Sequence, residues 1–287
     1  MYSQPPRVPP ARPFTPRMPP SSVPPRPPMF SRPQTEGSTS WGNVADWYHS
    51  MLETGPGTYQ YDVILPALLR LIAPKKGMQI LDLACGNGFF SRAFAEAGAT
   101  VEGVDISREL IEHAKKKTGT LPIIYTVSTA EKIPFIKNAS KDIVVIVLAL
   151  QNIQKPELVI EECARILKPG GKLYIVLNHP AFRIPKSSSW EYDEVRDIEY
   201  RRIDGYMSEA KYDIEMHPGD NPHVKTVSFH RPLQYFFKLF GKHHFAVTRL
   251  EEWMSNREGP RGKRARSNDR ARKEIPLFLC LEILRLP

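Results

Sequence analysis

Between Gln79 and Leu177 the chain alternates short apolar runs with segments of helical spacing, and this alternation restricts the fold more than any other feature. Gln79–Leu83 reads as a strand, and Phe89–Ala97 as a helix stopped by Gly98. Thr100–Val104 is a second strand, followed by a helix over Arg108–Lys117 with Ser107 as its cap. Pro122–Val127 and Asp142–Ala149 are the third and fourth strands, and the fourth is continuously apolar, as a strand buried on both faces should be. A helix over Glu157–Leu167, closed by Lys168-Pro169-Gly170-Gly171, leads into a fifth strand at Lys172–Leu177. Strand–helix–strand order of this kind needs right-handed crossovers, which build a parallel, doubly wound sheet. Two helical segments precede it, Asn43–Glu53 and Thr58–Ile72. After His179 the pattern gives way to a polar, aromatic stretch. It resumes with a helix at Pro232–Phe240 and strands at Phe245–Leu250 and Pro276–Leu284.

The informative turn is Ile80-Leu81-Asp82-Leu83-Ala84-Cys85-Gly86-Asn87-Gly88, where the first strand ends in small residues and a helix begins at once. Small residues let the backbone approach a ligand closely, and the helix start offers free N–H groups to an anion. In a doubly wound sheet, cofactors bind at such strand ends. Charge then selects among cofactors. A dinucleotide site needs G-x-G-x-x-G, and here Ser91 takes the third glycine position. Asp82, at the strand end, repels a pyrophosphate but suits a ligand carrying an ammonium group beside its carboxylate. Asp105 ends the second strand, 23 residues later, and can accept from both hydroxyls of a ribose. Read without a ligand, the glycines are a tight turn and Asp105 a helix-start carboxylate. Two acids at two consecutive strand ends favour the nucleoside.

The net charge of +9 is unevenly spread. Residues 1–40 hold five Arg and one Glu, and residues 249–273 hold nine basic against four acidic side chains, whereas residues 41–248 are nearly neutral. The basicity therefore belongs to a tail and one loop, not to a broad nucleic-acid-binding face. The longest apolar run, Ile143–Leu150, is far short of the roughly 18 residues a membrane span needs. No apolar segment follows the first arginines, so a secretory signal is not expected. Three scattered cysteines, Cys85, Cys163 and Cys280, form no C-x-x-C pair. They suggest neither a disulfide framework nor a metal site, and a reducing cytoplasm is the expected location.

On these residues the chain resembles the class I S-adenosylmethionine-dependent methyltransferases of the type 11 family, similar to quinone-biosynthesis methyltransferases. The glycine turn looks like their first motif. Val101-Glu102-Gly103-Val104-Asp105-Ile106-Ser107 resembles their ribose-binding motif, and Ser128-Thr129-Ala130-Glu131-Lys132-Ile133-Pro134-Phe135 the loop flanking the adenine. Leu167–Leu173 resembles the turn into the fifth strand. The resemblance implies an α/β, Rossmann-like, doubly wound, seven-stranded sheet. It is mostly parallel with an antiparallel last strand, helices on both faces and a small cap inserted after the fifth strand. It implies S-adenosyl-L-methionine as cofactor, held by Asp82, Ala84, Gly86, Gly88, Asp105, Ile106, Thr129, Ala130 and Leu148. Ala84 stands where glycine is frequent. Thr129 stands where the family usually has an Asp that accepts from the adenine amino group.

Methyl transfer from a sulfonium needs no metal; the protein must align donor and acceptor and exclude water. The expected cover is residues 179–230, rich in aromatic and histidine side chains, with a β-hairpin formed by Lys211–His217 and His223–Phe229 around Pro218–Pro222. His230 and His179 are the candidate general bases. Gln151, Asn152, Arg231, Trp190 and Tyr206 are the candidate substrate contacts, with Arg231 holding an acidic group. His217 and His223 are read as satisfied surface residues, and Trp47, Tyr48 and Tyr59 as core packing in preference to a lid.

Residues 1–40 hold 13 of the 28 prolines and read as a disordered tail with polyproline II tendencies. Ser255–Glu274 reads as a basic, solvated excursion without an apolar anchor. The expected domain is therefore 41–287, its partner a small-molecule substrate acting at O, N or an activated carbon. Two alternatives stand beside it. One is an RNA- or ribosome-associated enzyme gripping phosphates with the tail and loop. The other is a cofactor-binding module without catalysis.

Overall fold

The computed structural model describes residues 41, 45–53, 56–215, 225–259 and 261–287. The expectations for residues 1–40, the turn 218–222, His217, His223 and the side chains of Trp47 and Tyr48 lie outside the described residues. A seven-stranded sheet in the order β10-β11-β5-β4-β1-β2-β3 forms the body. It is built from β1 (Gln79–Leu83), β2 (Thr100–Asp105), β3 (Ile123–Val127), β4 (Lys141–Val147), β5 (Leu167–Asn178), β10 (Phe245–Trp253) and β11 (Phe278–Arg285). β1 to β5 run parallel, and β11 is antiparallel to both β5 and β10. The order reverses between β1 and β4, so the crevice at their carboxyl ends is the switch point where such sheets bind ligands.

Alternation along the strands separates two cores. Val144 and Ile146 of β4 join Leu81, Leu83, Ile175 and Leu281 under the helices α5 (Pro156–Ile166) and α6 (Leu233–Lys242). Ile143 and Val145 join Ile80, Val176 and Cys280 under α2 (Leu65–Ile72) and α3 (Phe89–Glu96). A strand covered on both faces has no polar side, which is why β4 reads as one apolar run. Phe94 of α3 is fully buried, and truncating such a ring costs about 3–5 kcal/mol. α4 (Arg108–Lys117) starts where expected: the Ser107 hydroxyl accepts from Leu110 N–H, and Lys115, Lys116 and Lys117 face the negative end of the helix dipole.

Departures from the expected elements have local causes. Thr58–Ile72 is not one regular helix, because a widened turn at Gln60–Ile64 precedes α2. Pro66 has no N–H to continue the ladder, and the turn closes instead through Leu65 N–H to the Gln60 carbonyl. Ser255–Glu274 is not wholly a solvated excursion. Residues Ala265–Glu274 form α7, anchored by buried Ser267 and Ala271, one helical turn apart. The cap holds two ribbons, not one. β8 (Ala210–Glu215) pairs antiparallel with β9 (Lys225–His230), as expected. β6 (Ser188–Asp193) pairs with β7 (Ile198–Ile203), a hairpin the residue pattern does not announce. α7 clamps that hairpin through Asn268 to Glu199, Arg270 to the Asp197 carbonyl and Arg264 to Glu194. Among the described residues no helix is long and apolar enough to cross a membrane.

Candidate active site

Two cavities meet at the carboxyl end of the sheet. The first, of about 250 Å³, is lined by residues that follow each of the first four strands: Ala84 and Gly86, Asp105 and Ile106, Ser128 and Ala130, and Leu148. The second, of about 500 Å³, lies between the end of the sheet and the cap, and it shares Trp41, Leu148 and Asn152 with the first. Strand β9 separates them. Val227 lines the first, while Thr226 and Ser228 line the second, as alternate residues of a pleated strand must.

The floor of the first cavity is the glycine turn. Asp105, 7% exposed, accepts from Gly86 N–H at 2.8 Å through Oδ2 and from Ser107 N–H at 2.8 Å through Oδ1. A carboxylate offers about four acceptor positions, more than these N–H groups fill, and Asp105 lines the cavity. Burial raises the Asp105 pKa, opposed by those same N–H groups. Gly88 caps α3 at φ +75, and a Cβ there would run into the Tyr125 hydroxyl. Ala84 sits at φ +60, the left-handed region that explains why glycine suits this position. Leu148, between the two cavities, is also left-handed, at φ +53. The Asn87 amide bonds His49 at 3.2 Å, tying α1 (Ala45–Glu53) to the turn.

Asp82 is placed differently from expectation. It is 1% exposed, does not line either cavity, and accepts from the Ser91 hydroxyl at 2.5 Å. Burial pushes its pKa up to about 7, with Ser91 opposing and the Asp105 charge adding. The serine at the third glycine position therefore has a task, which is to hold the acid under the turn. Thr129 is exposed, and its neighbours Ser128 and Ala130 face the cavity in its place.

The proposed bases are engaged elsewhere. The His179 ring accepts from Ala181 N–H at Nδ1, so Nε2 carries the proton and donates to Glu252 at 2.8 Å. Burial lowers its pKa, partly offset by Glu252. His230 donates through Nε2 to the Tyr206 carbonyl at 2.7 Å, and the Tyr206 hydroxyl accepts from Leu233 N–H at the start of α6. Arg231 donates to the carbonyls of Ile153 and Gln154 and lies over the rings of Phe229 and Tyr235. None of these four lines either cavity. His230, Tyr206 and Arg231 brace the junction of β9, α6 and the segment after β4, and His179 ties the end of β5 to β10. Tyr59 likewise packs edge-on against Phe278 and bonds Ser255.

Three of the proposed substrate contacts do meet in the second cavity: Gln151, Asn152 and Trp190. Gln151 and Asn152 both donate to the Leu148 carbonyl, from the short helical turn Leu150–Asn152. Trp41, Ser128, Arg183 and Val227 line the cavities without having been singled out from the sequence. The charges of the two cavities are opposite. Among the described residues the first carries Asp105 and Glu131 and no cation, and the second carries Arg183, Lys186 and Arg201 and no acid. An anionic pyrophosphate does not fit the first cavity. A cationic nucleoside does, with open acceptor positions on Asp105 and the apolar Ile106, Ala130 and Leu148 beside them.

A sheet of this strand order, with its glycine turn and its ligand crevice at the switch point, is the Rossmann-like fold that solved methyltransferase structures share. Residues 81–175 match the family described as "Methyltransferase domain". It is 35% identical over 135 residues to a ubiquinone biosynthesis O-methyltransferase of Coxiella burnetii, covering 45% of this chain and 55% of that protein. The protein of the same name from Xanthomonas oryzae is 34% identical over 101 residues, or 34% of this chain and 42% of that one. The chain thus spans about half the length of the curated relatives it matches. An S-adenosylmethionine-dependent methyltransferase from Mesorhizobium loti shares the fold, with a TM-score of 0.64 and 24% identity over 80% of this chain and 99% of that one. So does a Listeria monocytogenes protein described as a putative enzyme of that kind, at 0.60 and 21% over 77% and 97%.

Proposed function

We propose that the chain transfers a methyl group from S-adenosylmethionine to a small molecule, with donor in the first cavity and acceptor in the second. The observation that carries this reading is the junction of the two cavities at Leu148 and Asn152, with acids alone as the charged lining of one and cations alone of the other. When bound, the cofactor supplies an electrophilic methyl group for in-line displacement, its sulfur leaving with the bonding electron pair. Asp105 binds the ribose hydroxyls, Gly86 admits the backbone close to the ligand, and Ile106 and Ala130 flank the flat base. Asp82 acts from beneath by holding the turn. Leu148, fixed by Gln151 and Asn152 through its carbonyl, sets the surface on which the two reactants meet. Trp41 and β9 exclude water from that junction. His179 and His230 hold the scaffold and are not assigned a proton.

The small-molecule reading also draws support from α7. Arg264 lies over the Tyr192 ring and pairs with Glu194, Arg270 bonds the Asp197 carbonyl, and Arg272 bonds Asn268. Cations spent on the cap hairpin are not offered to phosphates. The buried, free thiols of Cys85, Cys163 and Cys280 support a cytoplasmic location. Calorimetry with S-adenosylmethionine and its demethylated product tests the donor site. Mass spectrometry of extracts incubated with labelled donor then identifies the acceptor. Tighter binding of NAD than of S-adenosylmethionine would overturn the assignment.

A further inference from the structure

The second cavity has a chemistry of its own. Sixteen of the described residues line it, among them Arg183, Lys186 and Arg201, and none of these is an Asp or Glu. Arg201 is fixed: it donates to the Phe182 carbonyl at 2.8 Å and to the Ser188 hydroxyl at 2.6 Å, and it lies over the Trp190 ring at 5.3 Å. Arg183 is not. Its backbone N–H bonds the His179 carbonyl, but among the described residues its guanidinium has no hydrogen-bond or ion-pair partner. Arg201 is held below its ordinary range first by burial and then by the Arg183 charge. Like charges gathered in a cleft without a counter-ion form a site that gains stability by taking up an anion.

A second, independent observation comes from another residue lining the same cavity. Gln151 is 9% exposed, its amide nitrogen is committed to the Leu148 carbonyl, and among the described residues its Oε1 has no hydrogen-bond partner. A buried carbonyl oxygen left unpaired calls for a donor. It lies in the turn directly after Leu148, at the junction with the first cavity.

We propose that the acceptor is a small organic anion, a carboxylate or a phosphate monoester, that also carries a hydroxyl or amine. Its negative group rests on Arg183, and its hydroxyl or amine donates to Gln151 Oε1 at the edge of the donor cavity. Trp190, pinned under Arg201, supplies a flat wall for the body of the molecule. This assignment rests on the reading that the first cavity holds the methyl donor. It also moves the anion-holding role from Arg231, whose guanidinium is committed to two backbone carbonyls and two rings, to Arg183.

The test uses the full chain saturated with the demethylated cofactor product. Calorimetric titrations compare hydroxyaryl and hydroxyalkyl probes, each prepared as carboxylate, phosphate monoester and neutral amide. The expected result is that an anionic form binds at least about ten-fold more tightly than its amide, and the stronger of the two anions identifies the source of the charge. Arg183→Gln should abolish that preference without changing the affinity for the amide, and Arg183→Lys should restore part of it. Gln151→Leu should weaken the anion and the amide equally, because the donor contact is common to both. A panel in which no anion is preferred, or an Arg183→Gln variant that keeps the preference, overturns the proposal. If the demethylated product itself does not bind, the methyl-transfer reading fails; if it binds and no anion is preferred, only the acceptor assignment fails.

Discussion

Asp105 Oδ2 accepts from Gly86 N–H at 2.8 Å, so the acid at the end of the second strand closes the turn that follows the first. One carboxylate therefore shapes the floor of the first cavity and also lines it. Asp105→Ala should weaken the binding of S-adenosylmethionine and of its demethylated product by more than about 1 kcal/mol, roughly five-fold. It should also lower the melting temperature of the unliganded protein, since Gly86 and Ser107 both lose an acceptor. Wild-type affinity by calorimetry would remove Asp105 from the site.

Asp82 makes a pH-dependent prediction. Its pKa rises from 3.8 to about 7 on folding, so between those values the folded chain holds a proton that the unfolded chain releases. Stability from this group is greatest in acid and is lost as pH rises, on the order of 4 kcal/mol across the window. Asp82→Asn removes that loss. In denaturant titrations the variant should gain on the wild type between pH 4 and 7, with the gap constant above pH 8. A gap that does not change with pH would mean that Asp82 is ionised throughout.

Gly88 combines φ +75 with a neighbour, the Tyr125 hydroxyl, that a Cβ would strike. Gly88→Ala should destabilise by about 2–4 kcal/mol from strain and overpacking together. Tyr125→Phe in the same chain should recover some of the packing loss, since the ring carbon at 2.9 Å remains, and leave the backbone part. Additive effects of the two changes in urea unfolding would show that the contact is not made.

The histidines separate structure from chemistry. His230→Ala should cost about 1 kcal/mol of stability through the lost bond to the Tyr206 carbonyl. His179→Ala should remove a contribution that is full above about pH 6.5 and is lost as pH falls, because burial holds the folded ring below its ordinary pKa. Neither variant should alter affinity for the demethylated cofactor product. A ten-fold loss of that affinity in either would place the ring at the site after all.

The body of the fold was legible because its signals are local. β1, α3, β2 and α4 begin at the residues expected of them, since Gly98, Ser107 and the strand periods act at short range. Asp105 and Gly86 were legible for the same reason. What failed to show were features set by packing. β6 is half-buried along its whole length, so it carries no alternation to read. α7 is anchored by Ser267 and Ala271, and a search for large apolar residues passes over both. Thr129 and Ser128 differ by one place, and which of them faces inward depends on how the loop leaves β3. Arg183 lies in an irregular turn between β5 and β6, where no period distinguishes it, whereas Arg231, before a helix, looked better placed than it is.

The partition made by β9 has a consequence for how such an enzyme changes over time. Thr226 and Ser228 face the second cavity, and Val227 between them faces the first. Substitution at either outer position remodels the second cavity while the first goes on seeing the same valine. A one-residue slip of the ribbon would exchange the two faces and disturb both at once. The parity of a single strand thus lets selectivity drift while the chemistry is inherited intact.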